Sequence, residues 1–474
     1  MKTFQDFQKV GENEQDRMLF IRSAINDHKS SLPFRIAMDA EMYDKQQNVT
    51  ITTFRNLLYT VTGEVIPDNY SANYKLASNF FDRLTTQRNS HLLGNGVTFQ
   101  KDDTKDKLGQ FFDEQMLELG HSAQKGGVSF GFWNNDHLEV FDLINFVPLY
   151  DEENGALMAG IRFWQIAPEK PLRATLYELD GLTDYIWTSD KPNGEVMENG
   201  EKRAYKTKTT GTPVDATYIY QGENYAGFPI IPLFNVKKQS DLIGMREPID
   251  CYDLIKSGFA NTVDEASLFY WTITNAMGMD EVDVVKFRDQ IKRIKAGMIE
   301  RNGAQVEAHT VDAPYASREA LLTRLRNDLY EDYMAEDIHE ISAGATTATQ
   351  IDASYEPLNL KTDSYESRVT TFILQLLNLL GIDDKPTYKR SKVHNKAEEI
   401  QVLLQAAQYL PEEYVTKSIL TIMGDTDAIE EVERMKKLEE LERQDIPRDN
   451  EDEDEEKEGE EDDNQGQLTE EEEE

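Results

Sequence analysis

From Gly126 to about Thr188 the apolar residues of this chain repeat at every second position, and on either side of that stretch they repeat at every third or fourth. A period of two places alternate side chains on one face of a strand; a period near 3.6 places them on one stripe of a helix. The two patterns occupy different stretches of the chain, which reads as an α+β protein.

Within the β stretch, Val128–Trp133 and Leu138–Leu143 flank Asn134-Asn135-Asp136-His137, and Leu172–Glu178 and Thr183–Thr188 flank Leu179-Asp180-Gly181. Both read as hairpins. Ala159–Ile166 is a further strand, and residues 189–224, polar and rich in Gly, Thr and Lys, read as a long loop or ragged edge. Phe228–Asn235 is apolar but holds Pro229 and Pro232, which suits an edge strand or an extended crossover. Val49–Thr53 reads as a short strand. Helical spacing marks Phe34–Tyr43, then Asn73–Leu93, then one helix through Leu108, Phe111, Phe112, Met116 and Leu119. It returns in Ile249–Val263, Val284–Lys295, Leu321–Leu329, Tyr365–Leu380 and three segments after Asn395, the last being Ala428–Glu442. Leu268–Thr274 is β-rich, and Met298–Glu300 and Gln305–Thr310 flank Arg301-Asn302-Gly303, whose Asn-Gly is a strong hairpin signal. Residues 337–356 are small and polar without periodicity and read as a long loop between two strong helices, a length that is usually functional or disordered. After Pro447 the acidic run has almost no apolar residue and predicts a disordered tail.

Charge excludes one class outright. The chain carries 50 basic and 89 acidic residues, a net charge of −39, whereas ordinary DNA binders are basic because affinity comes from neutralising phosphates. Any encounter with nucleic acid must be local, or one in which sticking is unwanted. The single cysteine, Cys251, rules out an intrachain disulfide and fits a reducing compartment; its apolar neighbours predict a buried structural thiol. MKTFQDFQKVGENEQDR has no apolar core of a secretory signal, and no apolar run reaches the roughly 20 residues of a membrane span.

Catalytic and cofactor motifs are not found. The chain has no GxxxxGK[ST], and Gly126, Gly127 and Gly131 have the wrong spacing for a phosphate loop. Asp241, Glu247, Asp250 and Asp253 are conceivable metal ligands, but no His or Cys joins them, so a solvated helix face is the expected reading. The seven histidines (28, 91, 121, 137, 309, 339 and 394) show no HExxH or i, i+4 pair and read as structural or surface. No catalytic residue, metal or cofactor is expected.

Four segments in order resemble the portal proteins of long-tailed phages infecting Gram-positive bacteria. They are NYKLASNFFDRLTTQRNSHLLGNGVTF (73–99), GGVSFGFWNNDHLEVFDLINFVPLYDEENGALMAGIRFW (126–164), FPIIPLFNVKKQSDLIGMREPIDCYDLI (228–255), and SREALLTRLRNDLYEDYMAEDI followed by a Gly/Ala/Thr loop and a long helix (317–380). The loop reads GATTATQ (344–350), a departure from the more Ser-Gly loop of many relatives. The resemblance implies a portal fold assembled as a dodecameric ring. Its regions would be a wing (1–236), a stem helix (237–266), a clip (267–315), a second stem helix (316–336), a tunnel loop (337–356), a long wing helix and strand (357–392), a helical crown (393–446) and the acidic tail (447–474). It further implies a DNA-channel loop carrying Ser342, Gly344, Thr346, Thr347, Thr349 and Gln350. At the clip, Tyr270, Arg301, Asn302 and Gln305 would meet partners. The implied function is a channel at one capsid vertex for packaging and ejecting DNA, without catalysis and without a membrane. The implied partners are eleven further copies, scaffolding and major capsid proteins, the terminase large subunit, a head-completion adaptor, and double-stranded DNA passing without sequence specificity. The implied location is the virion, after assembly in the bacterial host cytoplasm. Rival classes are a metal-dependent hydrolase and an acidic assembly chaperone.

Overall fold

The computed structural model describes residues 2–55, 57–59, 64–67, 73–197, 201–210, 217–266, 270–274, 305–309, 315–337, 348–391, 396–409 and 411–423, with the single positions 282 and 434. The chain divides into two compact units, Met1–Val393 and His394–Glu474. The helix expected at Val284–Lys295 and the acidic tail lie outside the described residues, as does the helix expected at Ala428–Glu442 apart from position 434.

The first unit opens with α1 (Phe4–Gln8), α2 (Glu14–Ser30), α3 (Leu32–Asp44) and α4 (Val49–Thr53), each started by a side-chain cap, from Thr3, Asn13, Ser31 and Asn48 in turn. The cap explains why Val49–Thr53 is a helix and not the expected strand. Asn48 Oδ1 accepts from the N–H groups of Thr50 (2.9 Å) and Ile51 (3.1 Å), and that local satisfaction of the first turn outweighs a short β-branched run. Strands β1 (Leu57–Tyr59) and β2 (Val65–Pro67) pair antiparallel. Residues 73–79 are extended, so the helix expected from Asn73 begins only at Phe80, as α5 (Phe80–Leu93). After β3 (Val97–Phe99), the single helix expected through Leu108 and Leu119 is two, α6 (Asp102–Leu108) and α7 (Phe112–Gly126). Gly109 between them has φ 88°, a backbone that L side chains resist and a helix cannot contain.

The β stretch forms two sheets. Strands β4 (Val128–Asn134) and β5 (His137–Asp142) make the expected hairpin, turning through Asn135 at φ 56°. Then come β6 (Phe146–Tyr150), β7 (Leu157–Trp164), β8 (Leu172–Glu178), β9 (Gly181–Trp187) and β10 (Glu195–Val196), an antiparallel sheet in the order β10-β9-β8-β7-β6. Part of the expected loop at 189–224 is also sheet: besides β10, β11 (Lys206–Thr210) pairs with β12 (Thr217–Glu223). β13 (Ile230–Phe234) pairs with β4 and closes the order β13-β4-β5 as an edge strand that tolerates Pro232. The remaining elements are α8 (Arg246–Ala266), β14 (Tyr270–Thr274), β15 (Gln305–His309), α9 (Tyr315–Tyr333), α10 (Ala348–Ser354), α11 (Glu356–Leu380, ending at Gly381) and β16 (Pro386–Tyr388), which pairs with β3. In the second unit, α12 (Lys396–Ala406) packs on α13 (Glu412–Met423). Among the described residues no helix is long and apolar enough to cross a membrane.

Burial follows the sequence periods. β9 buries every second residue, among them Thr183, Tyr185 and Trp187, so one face of the five-stranded sheet is covered. The cover is α1 and α2: Phe7, Ile21, Ala24 and Ile25 pack with Val147, Ile161, Leu176 and Tyr185. β4 is buried at five consecutive positions, because α7 and α11 both pack on its three-stranded sheet, through Met116, Leu119, Val369, Phe372 and Leu376. A third cluster joins α3 and α5 to α8 and α9, through Tyr43, Phe81, Leu84, Ile249, Leu329 and Tyr333.

His28 lies inside this packing, with Nε2 donating to the Leu143 carbonyl at 2.7 Å and its ring edge-on to Phe34 and Phe163. Burial lowers its pKa from the ordinary 6.5 against the pull of that carbonyl. A depressed base must charge when the chain unfolds, so its contribution to stability is complete above pH 6.5 and lost as pH falls towards the depressed folded value. We expect the melting temperature to fall more steeply between pH 6.5 and 5 for the native chain than for His28→Phe. Parallel pH profiles would remove His28 as the acid-sensitive group.

Candidate functional site: the helix pair and the segments it carries

α8 and α9 run side by side, and the chain between them returns on itself as β14 and β15. Near the strand end, Arg318 Nη1 of α9 donates to Thr262 Oγ1 (2.6 Å) and to the Gly258 carbonyl (3.3 Å), and Phe259 meets Tyr315 at 5.6 Å between ring centroids. Near the other end Phe80 stands edge-on to both Tyr252 (5.0 Å) and Tyr330 (6.3 Å), so α5 wedges the pair.

The inner face of α8 is polar for a reason. The extended segment 73–79 lies along it, and three alternate N–H groups donate to side chains four residues apart: Tyr74 to Asn261 Oδ1 (2.7 Å), Leu76 to Ser257 Oγ (3.0 Å) and Ser78 to Asp253 Oδ1 (2.9 Å). A helix has spent its own backbone acceptors, so a strand beside it can be satisfied only by side chains. This corrects the reading of Asp250 and Asp253 as a solvated face. Asp253 is fully buried and also accepts from Asn48 Nδ2 (2.9 Å); Asp250 accepts from the Tyr43 hydroxyl. Burial pushes the Asp253 carboxyl up and the Tyr43 phenol up to about 12. Cys251 is exposed, not buried as expected, since it lies about 200° around the helix from buried Ile249. The expected stem helix 237–266 is helical only from Arg246.

At the base of the pair a buried network joins α5, the segment before α8, and α9. Arg88 of α5, 2 % exposed at its side chain, bonds Asp241 Oδ2 at 2.7 Å and Asn235 Oδ1 at 3.1 Å. Asn235 Nδ2 donates to Asp241 Oδ1 at 2.8 Å, and the Tyr333 hydroxyl of α9 donates to Asp241 Oδ2 at 2.9 Å. The sequence reading considered Asp241 only as a possible ligand and overlooked Arg88. The signal was present: Arg88 falls at helical spacing from Phe81, Leu84 and Leu92 on an apolar stripe, and a buried arginine needs a carboxylate.

The chain leaving α9 is pinned. Met334 turns at φ 59°, Gln87 exchanges two hydrogen bonds with the Glu336 backbone (2.8 and 3.1 Å), and the buried Asp337 carboxylate pairs with Arg326. Asp337 thus belongs to the scaffold and not to the expected loop. Ser342, Gly344, Thr346 and Thr347 lie outside the described residues. Thr349 and Gln350 stand in the first turn of α10, so the loop expected across 337–356 is helical over Ala348–Ser354. That helix rests on a small apolar cluster of Ile351, Tyr355 and Leu358, a weak period hidden among small polar residues. His91 stacks on Tyr355 and bonds the Ser391 carbonyl (2.6 Å) and Asn359 Oδ1 (2.9 Å).

In the β14–β15 ladder Tyr270 faces His309 at the helix end and Gln305 faces Thr274 at the far end. The two are four residue steps apart, about 13 Å, and so do not form one patch. Arg301 and Asn302 lie outside the described residues, as does the strand expected at 298–300; the strand that Gln305–His309 pairs with is β14.

One metal-like grouping occurs among the described residues: Asp44, Asp82 and His121. Asp44 is already bonded to His121 (2.8 Å) and to the Lys125 ammonium (3.3 Å), which also bonds Glu41 (2.7 Å). The positive charge is supplied by the chain itself, and the group acts as an ion-pair brace between α3 and α7.

Comparison with known proteins adds the following. The family described as phage portal protein, SPP1 Gp6-like, matches residues 25–445. The portal protein of Clostridium phage phiCD119 is 24 % identical over 387 residues, spanning 77 % of this chain and 84 % of that protein. Among solved structures, the virion of a native gene transfer agent particle contains a chain 11 % identical with a TM-score of 0.42, covering 70 % of this chain and 86 % of that one. An HK97-family phage portal protein from Corynebacterium diphtheriae is 13 % identical with a TM-score of 0.30, covering 65 % and 89 %.

Proposed function

Because this chain belongs to the SPP1 Gp6-like phage portal protein family, a structural class that forms the head–tail connector, we propose that it assembles as a closed ring of twelve at one capsid vertex. One observation supports the ring in particular. α8 leaves Leu254 and Val263 exposed and α9 leaves Tyr315 and Leu321 exposed, each by more than 40 %. Large apolar residues on both helices of a packed pair need a further surface to cover them, and in a cyclic assembly the next copy supplies it.

In this reading α8 and α9 are the stem, β14 and β15 belong to the clip that docks the terminase motor and later the head-completion adaptor, and Ser342, Gly344, Thr346, Thr347, Thr349 and Gln350 are the positions assigned to the channel. Tyr270, Arg301, Asn302 and Gln305 are then clip positions assigned to partner contact, with Tyr270 at the stem end of the ladder and Gln305 at its far end. The net charge of −39 suits a conduit: over a screening length of about 8 Å, an acidic wall keeps phosphates from adhering to it. The protein works without its own catalysis; scaffolding and capsid proteins assemble around it in the host cytoplasm, and it remains in the virion.

The test is the size and shape of the purified full-length chain. We expect negative-stain images of closed rings and a mass many times the 54.4 kDa of one copy. A monodisperse single copy across micromolar concentrations and several salt conditions overturns the reading.

A further inference from the structure

Beside the Arg88 network lies a cavity of about 470 Å³, bounded by the segment before α8, the end of α9 and the first turns of α11. Its rim residues Ile243 and Leu360 are exposed, so it is reached from solvent. Three cations line it, Arg88, Lys237 and Lys361, against two carboxylates, Asp241 and Asp332. In a chain with 89 acidic and 50 basic residues this is a local reversal of sign.

The carboxylates do not balance the cations. Asp241 is filled by Arg88, Asn235 and the Tyr333 hydroxyl, and Asp332 is exposed on α9. Arg88 is buried, and its Nε has no partner. Lys361 lies over the Tyr333 ring and its ammonium donates to the Tyr333 carbonyl, a neutral acceptor. We infer that this cavity binds a small tetrahedral oxyanion of the phosphate or sulfate class, held between Lys361 and Lys237 above Arg88.

Proton linkage follows from the same geometry. The groups facing Lys361 are Arg88 from α5, Lys237 and Asp241 from the segment before α8, and Asp332 and Tyr333 from α9. Burial lowers the Lys361 pKa to about 7, with Arg88 and Lys237 pushing the same way against Asp241. A bound anion restores the missing charge, so binding takes up a proton near neutrality and weakens as pH rises.

Sulfate is the cleaner probe, since it does not titrate between pH 6.5 and 8.5. Calorimetric titration of the full-length assembled protein at fixed ionic strength should show saturable binding that weakens about tenfold or more over that range. Lys361→Met should abolish binding while the protein melts no lower than the native chain, because a largely buried ammonium met only by a neutral carbonyl is replaced by an apolar side chain of similar length. Lys361→Arg should bind with the pH dependence gone. Inorganic phosphate should compete with sulfate at pH 6.5. Absence of saturable binding, pH-independent binding to the native protein, or native-like binding by Lys361→Met would overturn the proposal.

Discussion

Asp241→Leu should cost the first unit roughly 3–5 kcal/mol, the range for removing one partner of a buried ion pair. The change leaves the Arg88 guanidinium inside with Asn235 Oδ1 as its remaining side-chain acceptor, and it also frees the Tyr333 hydroxyl. Arg88→Leu should cost a similar amount by leaving the carboxylate short of a cation. The double variant Arg88→Leu/Asp241→Leu should cost less than the two singles together, since an apolar pair of similar volume carries no uncompensated charge. Urea unfolding of the four proteins measures this directly. If the single variants unfold within 1 kcal/mol of the native chain, as exposed pairs typically do, the network is not what fixes α5, the segment before α8 and α9 to one another.

Phe372→Ala should be as damaging, about 3–5 kcal/mol, because it empties a fully packed ring site between α11 and the three-stranded sheet. The site has an unusual partner. A Cβ built on Gly131, mid-strand in β4, would lie 2.5 Å from the Phe372 ring tip. The glycine is the socket for the ring. Gly131→Ala alone should therefore destabilise by about 1–3 kcal/mol through overpacking. Combined with Phe372→Ala it should cost less than the sum, since the added methyl then enters the vacated space. Additive costs would show that the ring and the glycine do not share one site.

Those two contacts also mark what the sequence could and could not reveal. The paired hairpins of β4–β5 and β8–β9, the edge position of Pro232, the helix ending at Gly381 and the two helices flanking β14 and β15 are all local patterns, and local patterns were readable. The failures have two physical origins. Residues 73–79 carry a helical spacing of apolar residues but are pulled straight by acceptors nearly two hundred positions away, on α8. Asp250 and Asp253 look like a wet face until that segment is laid over them. At Gly109 and Asn48 the balance ran the other way, with one residue's backbone or cap overruling a longer pattern. For the candidate site, the apolar stripe of α5 held the clue to Arg88, while the pairing of Asp241 with Tyr333 spans 92 positions and has no sequence signature.

The seam between residues 73–79 and α8 has a mechanical side. Two residues of extended chain advance about 6.6 Å and four residues of helix about 6.0 Å, so three contacts can align before the two rulers drift apart. The row on the helix continues in both directions. A displacement of one turn that brings residue 249 opposite Ser78 meets isoleucine, which has no acceptor, and strands an N–H group at a cost of about 1–3 kcal/mol. The opposite displacement presents positions 257, 261 and 265, which are serine, asparagine and glutamate in the sequence. Every N–H then meets a residue type able to accept it. The hydrogen-bonding row thus closes one sense of axial slip by chemistry, while in the other sense the hold on the register falls to the remaining contacts of α8, those of Asp250 with Tyr43, Asp253 with Asn48 and Thr262 with Arg318.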